Sequence, residues 1–284
     1  MNQDKFGALA LFLKLGPKIL TIFGKLIKGL KFTKVGLAAA SFGGYALLFS
    51  WKFALLLMIA VGFHESGHVW AMKKVGIKTK GFYFIPFIGG AAIAEEDFKS
   101  QSDNVYMSIM GPVWGAILAW ACLIPFYFTG NLLWIAAAGW MAFLNLFNML
   151  PIHPLDGGRI IGSVAHSMHK TAGYVYLWLS LCMMTIIAWK FKIGLLMIMG
   201  IICLLELAGP ILKKVFFKRS WDRDQRLHAY NLEKGYIPQP TISLDNKEML
   251  ITMLVYFLLI GNLLFLSLIT KGMPGADIAH QFLQ

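Results

Sequence analysis

Charge is what this sequence has least of. Of its 284 residues only 14% are Asp, Glu, Lys or Arg, while 58% are hydrophobic and the mean hydropathy is +0.65. A soluble globular domain is charged at roughly 25% of its positions, so that class is excluded and lipid is the solvent for most of the chain. Acids are scarcer still, 14 against 26 bases, for a net charge of +12. In a soluble protein that balance would suggest nucleic acid, but such a protein would need a polar exterior, so no nucleic-acid partner is expected. Cysteine is nearly absent. Cys122, Cys182 and Cys203 fall in apolar runs at unrelated positions; this excludes a disulfide framework and a Cys-rich metal site and leaves them as small buried hydrophobes. No internal repeat is visible.

What is present is a series of long apolar runs. A helix needs about 20 such residues to cross a ~30 Å hydrocarbon core. The runs near 35–51, 53–72, 104–128, 132–150, 172–189, 193–212 and 249–270 therefore predict an all-α polytopic membrane protein with about seven spans, the first of them short and forming a tight hairpin with the second. Lys52, Lys190, Lys192 and Lys271 fall on one side of this arrangement and every other Lys and Arg on the other. Positive residues concentrate on the cytoplasmic side, so the amino terminus is expected inside and the carboxyl terminus outside. A bacterial or archaeal plasma membrane is the expected location.

Residues 1–34 carry Lys14, Lys18, Lys25 and Lys28 among Leu, Ile and Phe, the pattern of a basic amphipathic segment lying in the interface rather than of a signal peptide. Residues 35–215 would form the core, and 249–284 the last span and a short tail. The polar stretch 216–248, at about 33 residues, is below the ~40 usually needed to fold unaided. It is expected to be a cytoplasmic connecting loop, without an appended PDZ-type or nucleotide-sensing domain. Residues 81–97, GFYFIPFIGGAAIAEED, are apolar but too short to span. Two runs of about six residues around Gly89-Gly90 predict a membrane-re-entrant β-hairpin, and irregular backbone at that depth implies a neighbouring cavity.

Within the apolar runs two acids stand alone. Glu65 is the single charged residue of 53–72, and Asp156 of 104–158. A charge at bilayer depth costs at least ~2.5 kcal/mol on insertion scales, so each is read as functional. Glu65 lies in His64-Glu65-Ser66-Gly67-His68. On a helix, residues i and i+4 share a face, so the two imidazoles converge on one divalent ion. Glu65, rotated by about 100°, stands beside that ion as a general base for water. Two histidines leave a catalytic tetrahedral site one protein ligand short. Asp156, beyond Pro151 and Pro154 and before Gly157-Gly158, supplies the next carboxylate, placed on broken helix by the prolines and a sharp glycine turn; its alternative role is a helix N-cap. His153 is a rival third ligand, His166 and His169 are expected in a solvated loop, and Glu206 is a third acid of open role. Asn148 could donate to a developing oxyanion or bridge two helices. The hairpin could hold an extended substrate by edge pairing.

His64–His68 as H-E-x-x-H, Asn148–Gly157 as N-x-x-P-x-x-P-L-D-G, and Gly111-Pro112 between them resemble the site-2 protease family of intramembrane zinc metalloproteases, peptidase M50-like. The resemblance runs from about residue 45 to 161. It implies one zinc ion per chain held by His64, His68 and Asp156, with Glu65 as catalytic base and Asn148 as a transition-state or substrate contact. It also implies a metalloendopeptidase acting on transmembrane helices of other proteins in regulated intramembrane proteolysis, in the bilayer and with a regulatory membrane partner. Relatives commonly place Asn shortly after the Gly-Pro pair, where this chain has Gly115. Two other classes compete: an inactive pseudoprotease serving as a scaffold, against which all ligands and the base are present, and a metal transporter, against which the outer halves of the spans lack polar residues.

Overall fold

The computed structural model describes residues 34–86, 89–191, 200, 204 and 242–272. The expected amphipathic segment, the 193–212 span, Glu206, Cys203, most of the polar loop and the tail lie outside the described residues. The elements are α1 (Lys34–Leu48), α2 (Trp51–Lys74), β1 (Thr79–Ile85), β2 (Gly89–Ala94), α3 (Gln101–Thr129), α4 (Leu132–Asn148), α5 (Asp156–Met168), α6 (Lys170–Phe191) and α7 (Asn246–Gly272).

Four of these, α2, α3, α6 and α7, are long and apolar enough to cross a membrane; α1 and α4 are apolar but shorter. At about 1.5 Å per residue, 15 to 17 residues fall short of a ~30 Å core. The described helices therefore make a membrane protein without by themselves giving seven full spans. Apolar side chains point away from the bundle along the long helices, among them Leu254, Phe257, Leu258 and Phe265 of α7, which is how a lipid-facing surface is built.

The break between the first two helices falls at Phe49-Ser50, two residues ahead of Trp51-Lys52, the pair where the apolar run is interrupted. Ser50 caps α2, its hydroxyl accepting from the Phe53 N–H at 3.2 Å. A hydroxyl there satisfies a main-chain donor that has no partner inside the helix, so Lys52 falls within the first turn. At the core, α2 packs along α3, α3 along α4 and α5, and α7 closes over α4. Small residues permit this: Ala54, Ala60, Ala119, Ala136, Ala138 and Ala142 are all buried, letting the backbones approach closely.

The expected β-hairpin is present, antiparallel, with Phe84 opposite Gly90 and Tyr83 opposite Ala91. Its glycines do not form the turn. Gly89 and Gly90 open β2, where they pair with Ile85 and Phe84. The hairpin lies against α1 and α2. Gly89 sits at φ 118°, a conformation that favours glycine, whereas Gly90 is demanded by a close approach to α2.

Candidate metal centre

Helix α2 delivers His64 and His68 to one face, as their spacing requires, with ring centroids 4.7 Å apart. The ring nitrogens Nε2 of the two residues are 3.0 Å apart. Asp156 Oδ2 lies 3.0 Å from His64 Nε2 and 3.3 Å from His68 Nε2. Glu65, 8% exposed, and the three converging residues are all buried.

The remaining ring nitrogens face oxygens. His68 Nδ1 is 2.8 Å from the Met107 carbonyl and His64 Nδ1 is 2.9 Å from Asn145 Oδ1. Carbonyl oxygens only accept, so both Nδ1 atoms carry a hydrogen and both Nε2 atoms turn inward towards a carboxylate oxygen. Ligands about 2.0–2.1 Å from a tetrahedral ion stand roughly 3.3 Å from one another, so the observed separations fit one divalent cation. Among the described residues this is the one group of three such side chains whose ligand atoms lie within 4.8 Å of each other.

Asp156 reaches the histidines from the first residue of α5. Leu155 is the N-cap and caps with no side chain, so the carboxylate does not serve as the helix cap and is turned to the imidazoles. Nor do Gly157 and Gly158 make a sharp turn. They lie in the first turn of α5, where a Cβ on Gly157 would overlap the Met149 and Leu150 carbonyls, and one on Gly158 would overlap Ile152 and His153. Glycine is required there because helix and preceding loop touch. Three side chains from later in the chain brace that loop and the start of α5. Tyr256 of α7 donates to the Met149 carbonyl at 2.7 Å, Tyr176 of α6 to the Gly158 carbonyl at 3.0 Å, and Ser180 accepts from the His153 N–H at 2.6 Å. Arg159 donates to Asn104 Oδ1 at 3.0 Å, tying α5 to the start of α3.

Gly111 opens the space for the imidazoles: a Cβ there would overlap the His68 ring and stand 2.9 Å from His64 Nε2. Two cavities of about 300 Å³ each meet at the centre. Both are bordered by His64, Glu65, Gly90 and Asn148; one continues towards Tyr45 of α1, the other past His68 and Asp156 to Arg159. Asn148 is thus beside the converging residues. His153 is not among them. It faces a further cavity of about 530 Å³ with His166 and Arg159, while His169 is exposed. Cys122 is buried against Met141 and Cys182 faces outward. Asn145, Tyr176, Ser180 and Tyr256 are participants that motif reading misses. Asn145 alone left a signal, as a second amide in an apolar helix, where an unsatisfied polar group is costly.

Residues 52–132 match the model of peptidase family M50. The M50 match takes in His64, Glu65, His68 and Gly111 and stops short of Asp156. A zinc metalloprotease of Methanocaldococcus jannaschii is 32% identical over 126 residues, 43% of this chain and 35% of that protein. A Synechocystis protein provisionally named a zinc metalloprotease is 30% identical over 152 residues, 49% of this chain and 39% of that one. The chain therefore spans less than half the length of the curated relatives it matches.

Proposed function

We propose that the chain is a zinc-dependent metalloendopeptidase that hydrolyses peptide bonds in or near transmembrane helices of other membrane proteins. The observation that carries this reading is the convergence of His64, His68 and Asp156 beside Glu65, buried among apolar helices yet bordering two cavities. The names of the two relatives agree with it.

In this reading His64 and His68 through Nε2, and Asp156 through a carboxylate oxygen, hold one zinc ion. When bound, zinc supplies Lewis acidity to polarise the scissile carbonyl and acidify water. Glu65 accepts the proton of the attacking water and returns it to the departing amide nitrogen, so that the C–N bond breaks to give a carboxylate and an amine. Asn148 donates its amide N–H to the oxygen on which charge develops. Strand β2, whose Gly90-Ala91-Ala92 line the cavity beside Asp156, pairs with the substrate main chain and holds it extended. A target helix must unwind locally to pair in this way, which also exposes its peptide bonds. The core carries about seven spans with the amino terminus cytoplasmic, in a bacterial or archaeal plasma membrane, and a regulatory membrane partner controls access.

The test is Glu65→Gln. The variant is expected to keep its zinc and lose cleavage of membrane-embedded substrates, which then accumulate uncut in membranes compared by quantitative proteomics. Undiminished cleavage would refute the assignment of Glu65 as base.

A further inference from the structure

His64 and His68 are oriented by different kinds of partner. His68 Nδ1 meets the Met107 main-chain carbonyl, which every residue type provides. His64 Nδ1 meets one side chain, Asn145 Oδ1. The direction of that amide is fixed, because Asn145 Nδ2 donates to the Met141 carbonyl of its own helix at 2.7 Å. With the nitrogen committed to the backbone, the oxygen faces the imidazole. An amide oxygen only accepts, so His64 carries its proton on Nδ1 and offers the Nε2 lone pair to the metal position. Were the amide reversed or lost, the proton could move to Nε2 and close that position.

The amide in turn sits in a slot made by glycine. A Cβ on Gly115 of α3 would overlap the Asn145 oxygen, nitrogen and Cγ together. Asn145 is 2% exposed, so it has no alternative place to go. The volume beside His64 Nδ1 is thus shared between α3 and α4, and here α4 fills it.

We propose that Asn145 is a positioning residue that selects the Nε2-coordinating form of His64, and that Gly115 is the slot admitting it, so that the same amide could be supplied from position 115. The proposal rests on the reading of His64, His68 and Asp156 as a metal centre. Outer partners of ligating histidines typically contribute 10–100-fold to metal affinity.

The test measures zinc affinity by competition with a chromophoric chelator on the full chain in detergent, and the visible spectrum of the cobalt-substituted protein. Asn145→Leu, which removes the acceptor at similar volume, is expected to weaken binding by about tenfold or more and to alter the cobalt spectrum, while the thermal transition of the metal-free protein stays near wild type. Asn145→Asp, which keeps an acceptor, is expected to bind close to wild type. In Gly115→Asn/Asn145→Ala the amide returns from α3, and most of the affinity lost in Asn145→Ala returns with it. If Asn145→Leu does not fold, Asn145→Ala takes its place. Wild-type affinity in the folded variant lacking the acceptor overturns the proposal, as does Asn145→Asp binding as weakly as that variant. No recovery in the folded double variant overturns the role given to Gly115. A wild-type protein that binds no metal fails the metal-centre reading itself.

Discussion

Gly90 of β2 lies directly on the side chain of Glu65: a Cβ at position 90 would stand 2.5 Å from Glu65 Cγ and 2.8 Å from Val61 Cγ1. The hairpin and the acid are thus one packed unit. Gly90→Val must displace either the strand or the carboxylate, and neither position is free to yield without losing catalytic geometry. We expect proteolysis to fall at least tenfold, about 1.4 kcal/mol in the barrier, with bound zinc unchanged. Metal content and turnover measured on the same preparation check this; a loss of both would place the effect on the ligands instead.

Gly111 bears the opposite relation, to the ligands and not to the base. Gly111→Ala puts a methyl group where the His68 ring lies. Zinc affinity is expected to drop by tenfold or more, about 1.4 kcal/mol, as read by chelator competition. Unchanged affinity would mean that α2 and α3 can part at this point without cost.

Zinc that binds only the assembled centre should make the loaded protein more stable than the metal-free one. With free zinc at about 100 times its dissociation constant, binding contributes roughly 2.7 kcal/mol to the folded state. Chelation is expected to lower the thermal transition in detergent, and the shift should vanish in Asp156→Asn, whose side chain no longer supplies the charged ligand. A chelator-induced shift of equal size in that variant would contradict the assignment of Asp156.

Tyr256 braces the loop ahead of Asp156 from α7, far along the chain. Tyr256→Phe removes the 2.7 Å bond to the Met149 carbonyl and leaves that buried acceptor short of a partner. We expect a loss of about 1–3 kcal/mol of stability, together with weaker zinc binding, because Asp156 loses part of its support. Stability loss alone, with affinity intact, would show that α6 suffices to hold the loop.

Much of the centre was legible because its spacings are short-range geometry. His64 and His68 share a helical face by arithmetic, and two lone acids in apolar sequence marked Glu65 and Asp156 before any coordinates. The long helices α2, α3, α6 and α7 were legible from hydropathy for the same reason. What escaped is tertiary in origin. Gly89-Gly90 reads as a turn, yet Gly90 is required by contact with Glu65. Gly157-Gly158 reads as a bend, yet both are helical and required by the carbonyls of 149–152. Local sequence cannot distinguish a glycine chosen for its dihedral angles from one chosen for a neighbour. Asn145 was overlooked beside Asn148 because only the packed bundle shows which amide meets an imidazole. Tyr256 could not be linked to Met149 by any local pattern, since the two lie on separate elements and meet only when α7 docks.

The centre is assembled from parts that the ribosome delivers at different times. His64 and His68 emerge first, and Asp156 follows after roughly 90 residues, which at elongation speeds of about 5–20 residues per second is an interval of about 5–20 s. Tyr256, which steadies the loop ahead of Asp156, comes roughly 100 residues later again, after a comparable interval. During synthesis the histidine pair therefore precedes its carboxylate, and the contact from Tyr256 that steadies the loop ahead of Asp156 is the last of the described braces to become available.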